Sequence, residues 1–271
     1  MSKFLILTGC SIDGTVDECS HEESRKKIEV VDVQNPLNSC SLPEEFPTRL
    51  MHAVGGFTKD GPLLCGGFNS DTYSMSKDCF IMNNTKFFQI SVSLQTEREK
   101  ASAIVLPNGT LWIQGGSNEG SKKAPVRLKS SETMSLQESE YGMELEEPNK
   151  NHCSVLINST TAFVTGGYDG PGTSSSVTYF VDIDNSKSSK GPNMNEARRQ
   201  HGCALFRHNN HNYVIVAGGI SLQTKTSSTE ILNLDSQLLE WTKGKSPNSA
   251  FRITWTSFLH PVSNFGINIR S

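Results

Sequence analysis

Paired glycines close four strand-like runs at almost even spacing, and no other feature of the chain restricts its fold so strongly. The runs are Pro62–Gly67, Leu111–Gly116, Ala162–Gly167 and Val214–Gly219. From first glycine to first glycine the steps are 49, 51 and 52 residues (66→115→166→218). A fixed period of this size marks a repeat architecture in which one supersecondary unit recurs. A fifth copy opens the chain: Phe4–Cys10 has the same shape, with Cys10 in place of the second glycine.

Each unit predicts more than its glycines. Ahead of each pair stands a tight-turn signal: Lys59-Asp60-Gly61, Pro107-Asn108-Gly109, Asn158-Ser159-Thr160 and His208-Asn209-Asn210. Asn and Gly tolerate the positive φ that hairpin turns require. Ahead of each turn lies another apolar run, at Met51–Val54, Ala101–Leu106, Cys153–Ile157 and Cys203–Phe206. A third run follows the glycines, as in Lys27–Val33, Cys79–Met82, Val177–Ile183 and Thr229–Leu234. A fourth is visible at Lys86–Ile90 and Leu238–Trp241. Four short antiparallel strands per unit describe the blade of a β-propeller.

At this level of detail the chain resembles the kelch-repeat family. The resemblance rests on the diglycines, on the acidic residue after the third strand (Asp32, Asp182, Asp235) and on an aromatic in the fourth (Phe88, Trp241). It rests also on an arginine ahead of the first strand, at Arg49–His52, Arg98–Ala101 and Arg198–His201. The third full unit departs from it, with Asn149–His152 in the arginine position and no clear fourth-strand aromatic in Lys122–Glu147. The resemblance implies an all-β fold, a kelch-type β-propeller of about five four-stranded blades spanning residues 1–271 as one domain. A closed ring requires Ile253–Leu259 to pair with Phe4–Thr8; the alternative is a truncated six-bladed ring.

Composition excludes some functions. A net charge of -3 and a pI near 6.2 argue against a nucleic-acid partner. The longest apolar stretches, Phe4–Leu7 and Tyr213–Ala217, fall far short of the ~18 residues of a membrane span. Lys3 followed by Phe4–Cys10 mimics a lipoprotein cleavage box, but its apolar core is too short, and the segment is read as a second strand.

Seven cysteines include no C-x-x-C pair. Cys65 ends one strand and Cys79 begins the next, at the same end of a sheet, so a disulfide is expected there. Cys10 and Cys19 bracket the corresponding loop of the first unit and form a second candidate. Cys153 and Cys203 are expected to be reduced, small residues where first strands crowd together. Three glycosylation triplets begin at Asn83, Asn108 and Asn158. With the disulfides they favour an extracellular setting slightly over a cytoplasmic one, although the chain shows no signal peptide.

No catalytic template is met, and no cofactor or metal is expected. The diglycines precede polar loops without Lys-Ser/Thr, so they are not phosphate loops. His208 and His211 have ligand spacing but sit in a hairpin tip. His52, His152 and His201 fall at one place in the repeat, and Arg49, Arg98 and Arg198 at another; both sets are expected to be structural. No tyrosine adjoins a histidine, unlike the copper radical oxidases built on kelch-like propellers. The acidic stretch Glu138–Glu147 reads as a solvated outer strand.

The expected function is therefore a non-catalytic scaffold whose polar loops recognise a partner protein. The alternatives are an intracellular substrate-reading adaptor of a ubiquitin ligase and, third, a sugar-active enzyme. The loops after the diglycines are expected to form one end of the molecule, apart from the crossovers between units. Their few apolar residues, Phe68, Tyr73, Tyr168 and Leu222, are the candidate contacts, with Tyr73 and Tyr168 foremost.

Overall fold

Alternating strands and Gly-rich turns build an all-β molecule. The computed structural model describes residues 46–245 apart from 85, 119–126 and 169–172, with the backbone of Lys3–Leu7, Ile28–Asp32 and Ser39–Ser41. No helix occurs among these residues, so none is long and apolar enough to cross a membrane. Cys10, Cys19 and Ile253–Leu259 lie outside the described residues, and with them the proposed first-unit disulfide and the ring closure.

Five antiparallel sheets follow one another, here numbered as units I to V. Unit I joins Lys3–Leu7, Ile28–Asp32 and Ser39–Ser41. Unit II contains Val54–Thr58, Gly61–Cys65, Cys79–Asn83 and Lys86–Gln89. Unit III contains Ser102–Val105, Leu111–Gln114, Ser131–Met134 and Ser139–Tyr141. Unit IV contains Cys153–Leu156, Thr161–Thr165, Thr178–Asp182 and Lys187–Lys190. Unit V contains Gly202–His208, His211–Ala217, Thr229–Asn233 and Trp241–Lys243. The first strands of units II to V neighbour each other in chain order, an arrangement consistent with a propeller-like all-β fold.

Register aligns the units residue by residue. Cys65, Gln114, Thr165 and Ala217 each precede a diglycine and pair with Val54, Ser102, Cys153 and Gly202. In the lead-in to each first strand, His52, Lys100, Asn151 and Gln200 are therefore equivalent, and all four are left-handed, with φ of 57°, 56°, 61° and 54°. They form a chain across the units: Lys100 N–H donates to His52 O (3.2 Å), Asn151 N–H to Lys100 O (2.9 Å) and Gln200 N–H to Asn151 O (2.9 Å). Unit II is one residue out of step with the sequence alignment. His52 belongs with Lys100, not with the buried His152 and His201, and the residue equivalent to Arg98 and Arg198 is Leu50, not Arg49. The expected set of three histidines is thus a pair, and the arginine set likewise.

The diglycines lie where the chain leaves a crowded strand. At Gly115 (φ 61°) a Cβ would approach Asn149 O to 2.5 Å; at Gly116 (φ 93°) it would approach Glu99 O to 2.6 Å. Both positions therefore demand glycine on conformation and on space. Gly116 N–H donates to Asn149 O in the lead-in to the next unit (2.8 Å), so the tight turn also bonds neighbouring units.

Apolar cores fill the joints between sheets. Leu63, Leu111, Ile113 and Met134 share one with Leu94 and Ala101; Phe163, Val214, Val216, Leu232 and Trp241 share another. The third strand opens on Ser131, Thr178 or Thr229, whose hydroxyls donate to Met143 O, Pro192 O and Lys245 O at 2.6, 2.9 and 3.0 Å. In unit II that hydroxyl is replaced by Cys79, joined to Cys65 (S–S 2.06 Å) as expected.

Two expectations about strands are corrected. The first strand of unit II runs Val54–Thr58, not Met51–Val54, because Leu50 and Met51 pair instead with Asn69 and Phe68. In its fourth strand Phe87 packs inward, on Phe46 at 4.9 Å, whereas Phe88 is exposed. Unit III has its outer strand at Ser139–Tyr141, within the expected Glu138–Glu147, and Ser139 stands in the place that Phe87 and Trp241 hold elsewhere, so no aromatic fills it. Trp112 on the second strand, fully buried, supplies bulk to the joint with unit IV, where its indole N–H donates to Ser131 Oγ (3.0 Å).

The cysteine expectations are corrected as well. Cys153 and Cys203 are not reduced: their sulfurs are 2.03 Å apart, joining the first strands of units IV and V. The crowding anticipated at these positions brings the two side chains together across the joint.

Candidate binding face at the diglycine end

Strand polarity puts the loops after the diglycines and the lead-ins from the preceding unit at one end of the sheets. The crossovers therefore share this face rather than lying apart from it. Below it, the lead-ins of units III, IV and V are anchored by the buried polar side chains of Arg98, Asn149 and Arg198. Arg98, fully buried, donates to Gly115 O (2.7 Å), Ser130 O (2.9 Å) and Glu132 Oε1 (2.5 Å). Arg198 repeats the arrangement on Gly218 O (3.0 Å), Ser228 O (3.2 Å) and Glu230 Oε1 (2.7 Å). Each guanidinium thus ties a lead-in to the turn of the blade that it enters. Burial pulls the Arg98 pKa down, and the adjacent Glu132 carboxylate opposes that shift.

Nearer the surface, Glu99 accepts from Lys100 Nζ (2.5 Å) and contacts His52 Nδ1 (2.9 Å). Burial raises its pKa, but His52 and Lys100 together bring it below the ordinary carboxylate value. His152 and His201 lie deeper and are fully desolvated, which pushes both pKa values down to about 3. His201 Nε2 is 2.9 Å from Thr165 Oγ1. Burial thus holds both imidazoles neutral.

Tyr168 follows the unit IV diglycine on this face. It is half-buried, with Lys150 Nζ 5.0 Å and Arg199 Cζ 4.9 Å from its ring centroid. Such cation–π contacts each contribute about 0.5–2 kcal/mol, more as the site is desolvated. Tyr168 N–H donates to Lys150 O (3.2 Å) and to Asn149 Oδ1 (3.0 Å), and Arg127 donates to Tyr168 O (3.2 Å). Arg199 also donates to Ser174 Oγ and Gln223 Oε1, both at 2.9 Å. Units IV and V therefore contribute jointly to the setting of one aromatic ring.

Tyr73 and Leu222 occupy tips of the same face. Each follows a short strand, Phe68–Asn69 in unit II and Ile220–Ser221 in unit V. They are 77% and 86% exposed and left-handed, with φ of 53° and 43°. Phe68 is half-buried in its ladder with Met51. Of the four expected contacts, Tyr73 and Leu222 project into solvent, whereas Tyr168 and Phe68 pack partly into the face.

The glycosylation candidates are at the opposite end. Asn83, Asn108 and Asn158 are exposed, and Asn108 Oδ1 and Asn158 Oδ1 accept the amides of Thr110 (3.0 Å) and Thr160 (2.9 Å). His208 and His211 pair at the tip of the unit V hairpin, with His211 Nδ1 3.7 Å from Asp235. Among the described residues no group of three His, Cys, Asp or Glu is placed to hold a metal.

Several interactions escaped the sequence reading. Glu132 and Glu230 follow the hydroxyl residue that opens the third strand, and the only signal is that both units with an aligned arginine carry a glutamate there. The approach of Lys150 and Arg199 to Tyr168 had no signal, because it crosses between units. No protein-family model matches the chain, and no curated protein matches its sequence.

Proposed function

We propose that the chain is a kelch-type β-propeller of about five blades acting as a non-catalytic scaffold, with the diglycine end recognising a partner protein. The observation that carries this reading is the pair Tyr73 and Leu222. Two large apolar side chains stand mostly in solvent on left-handed backbone, which costs energy and returns little burial among the described residues. A partner surface would provide that burial, and the ordered polar rim around Tyr168 suits the periphery of such a contact. Two disulfides favour an oxidising, extracellular setting.

The test is the double substitution Tyr73→Ala with Leu222→Ala, compared with the parent chain in crosslinking capture of surface and secreted proteins. A partner captured by the parent and lost by the variant, with stability within about 0.5 kcal/mol of the parent, is the expected result. An unchanged set of captured proteins would place recognition elsewhere.

A further inference from the structure

The two disulfides differ in what they join. Cys65 and Cys79 are fully buried, on neighbouring strands of one sheet already held by a ladder. Cys153 is half-buried, and its bond to Cys203 joins first strands of different units. Register places Val54 and Ala103 at the equivalent positions of the joint between units II and III, and Ser102 and Ser154 in the next. Those joints form without a covalent tie, so the shape of the joint does not itself require one.

We propose that Cys153–Cys203 is a thiol–disulfide exchange site for a small thiol or dithiol reductant, and that its state sets the spacing of Lys150 and Arg199 about Tyr168. Lys150 lies three residues before Cys153, and Arg199 four before Cys203. The bond thus fixes the separation of the two strands whose lead-ins bring both cations within about 5 Å of one ring. Across the same joint, Gln200 N–H donates to Asn151 O and Ser174 Oγ to Ile220 O, at 2.9 Å each. These noncovalent ties hold the joint together but leave it able to relax when the bond opens.

The chemistry is ordinary exchange. A reductant thiolate attacks one sulfur, the bond between Cys153 and Cys203 breaks, and the departing cysteine thiolate takes up a proton. A second reductant thiol then releases the mixed disulfide, leaving two cysteine thiols and one oxidised reductant. Exposure decides the order: the bond with one half-buried cysteine, Cys153, reacts before the pair sealed in unit II, where both cysteines are fully buried.

The consequence for recognition rests on the proposed binding face, but the test requires no partner. The native full chain is titrated with dithiothreitol, alkylated, and mapped by peptide mass spectrometry, with amide exchange followed in parallel. Cys153 and Cys203 are expected to label at about tenfold lower reductant than Cys65 and Cys79. Exchange at Tyr168 and Gln200 should then rise about tenfold, with Lys100 and Leu111–Ile113 unchanged. The variant Cys153→Ser with Cys203→Ser should show the same local rise without reductant. Release of Cys65 and Cys79 first or simultaneously would overturn the proposal. So would unchanged exchange at Tyr168, or unfolding of the whole chain on reduction, which would make the bond a general staple. If these results are as expected while the Tyr73 and Leu222 test fails, the exchange site stands and the binding reading falls.

Discussion

Units II and III turn the same corner with opposite chemistry. Where the lead-in of unit III meets its third strand, Arg98 is bonded to Glu132, both fully buried. The equivalent residues in unit II are Leu50 and Phe80, which belong to one apolar cluster with Phe46. Unit V follows unit III with Arg198 and Glu230, while unit IV places Asn149 opposite Tyr179 in register. A charge pair and an apolar cluster fit one backbone, and in unit IV Asn149 instead donates to Gly166 O (2.9 Å), so the position specifies an anchor for the lead-in rather than a residue type. A buried ion pair is not inherently superior to an apolar pair of similar volume, but half of one is costly.

The largest effect is expected from breaking that partnership. Arg98→Leu leaves the Glu132 carboxylate buried without its cation and should destabilise by about 3–5 kcal/mol, read from urea unfolding. Adding Glu132→Phe, which copies unit II, should recover part of the loss, with a coupling of about 0.5–3 kcal/mol. Purely additive losses would show that the two corners are not interchangeable.

The second comparison sets units IV and V, with His152 and His201, against units II and III, with Ala53 and Ala101 in the same place. Both imidazoles bind protons in the fold only near pH 3, but near pH 6.5 when unfolded. The unfolded state therefore takes up more protons as pH falls below 6.5, and stability declines through that window until about 3. The slope approaches about 1.4 kcal/mol per pH unit for each histidine, or about 2 kcal/mol each by pH 5. The lowered carboxyls of Glu99 and Glu196 stabilise the fold above their unfolded value near 4.5 and lose that contribution only below it. The interval from pH 6.5 to 5 thus reports the histidines. Urea midpoints at pH 7.5 and 5 should differ, and His152→Ala should remove about half the difference. Equal midpoints would mean that neither imidazole is desolvated in solution.

A smaller loss is expected where the units do not differ. Gly115→Val puts a branched side chain at positive φ against Asn149 O, and should cost about 1–3 kcal/mol or more. Captured partners should be lost only in proportion to folding. A variant with unchanged melting temperature that loses one partner would make the diglycine a contact site.

What could be read in the chain followed the distance over which each constraint acts. Diglycines, hairpin turns and strand order are local, and the four-stranded units and the Cys65–Cys79 bond were legible from them. The Cys153–Cys203 bond was not, because a repeat shows which residues are equivalent and hides which of them face each other across a joint. Arg49 and His52 were misaligned by one residue, since spacing counted from the arginine ignores where the strand begins to pair. The outer strand of unit III was legible in its acidic run, although Ser139 replaces the aromatic that marks this strand in units II and V. At the diglycine end, solvent-facing Tyr73 and Leu222 were visible as apolar residues in polar loops. The cations around Tyr168 come from two lead-ins and had no local signature.

The chain of bonds from His52 through Lys100 and Asn151 to Gln200 has a direction. Every amide donor lies later in the sequence than the carbonyl that receives it. During synthesis from the N-terminus, each new unit therefore meets an acceptor that has already emerged and docks by the residue that begins it. Each unit's seat is thus presented by the unit translated before it, and the four left-handed residues are the points of contact.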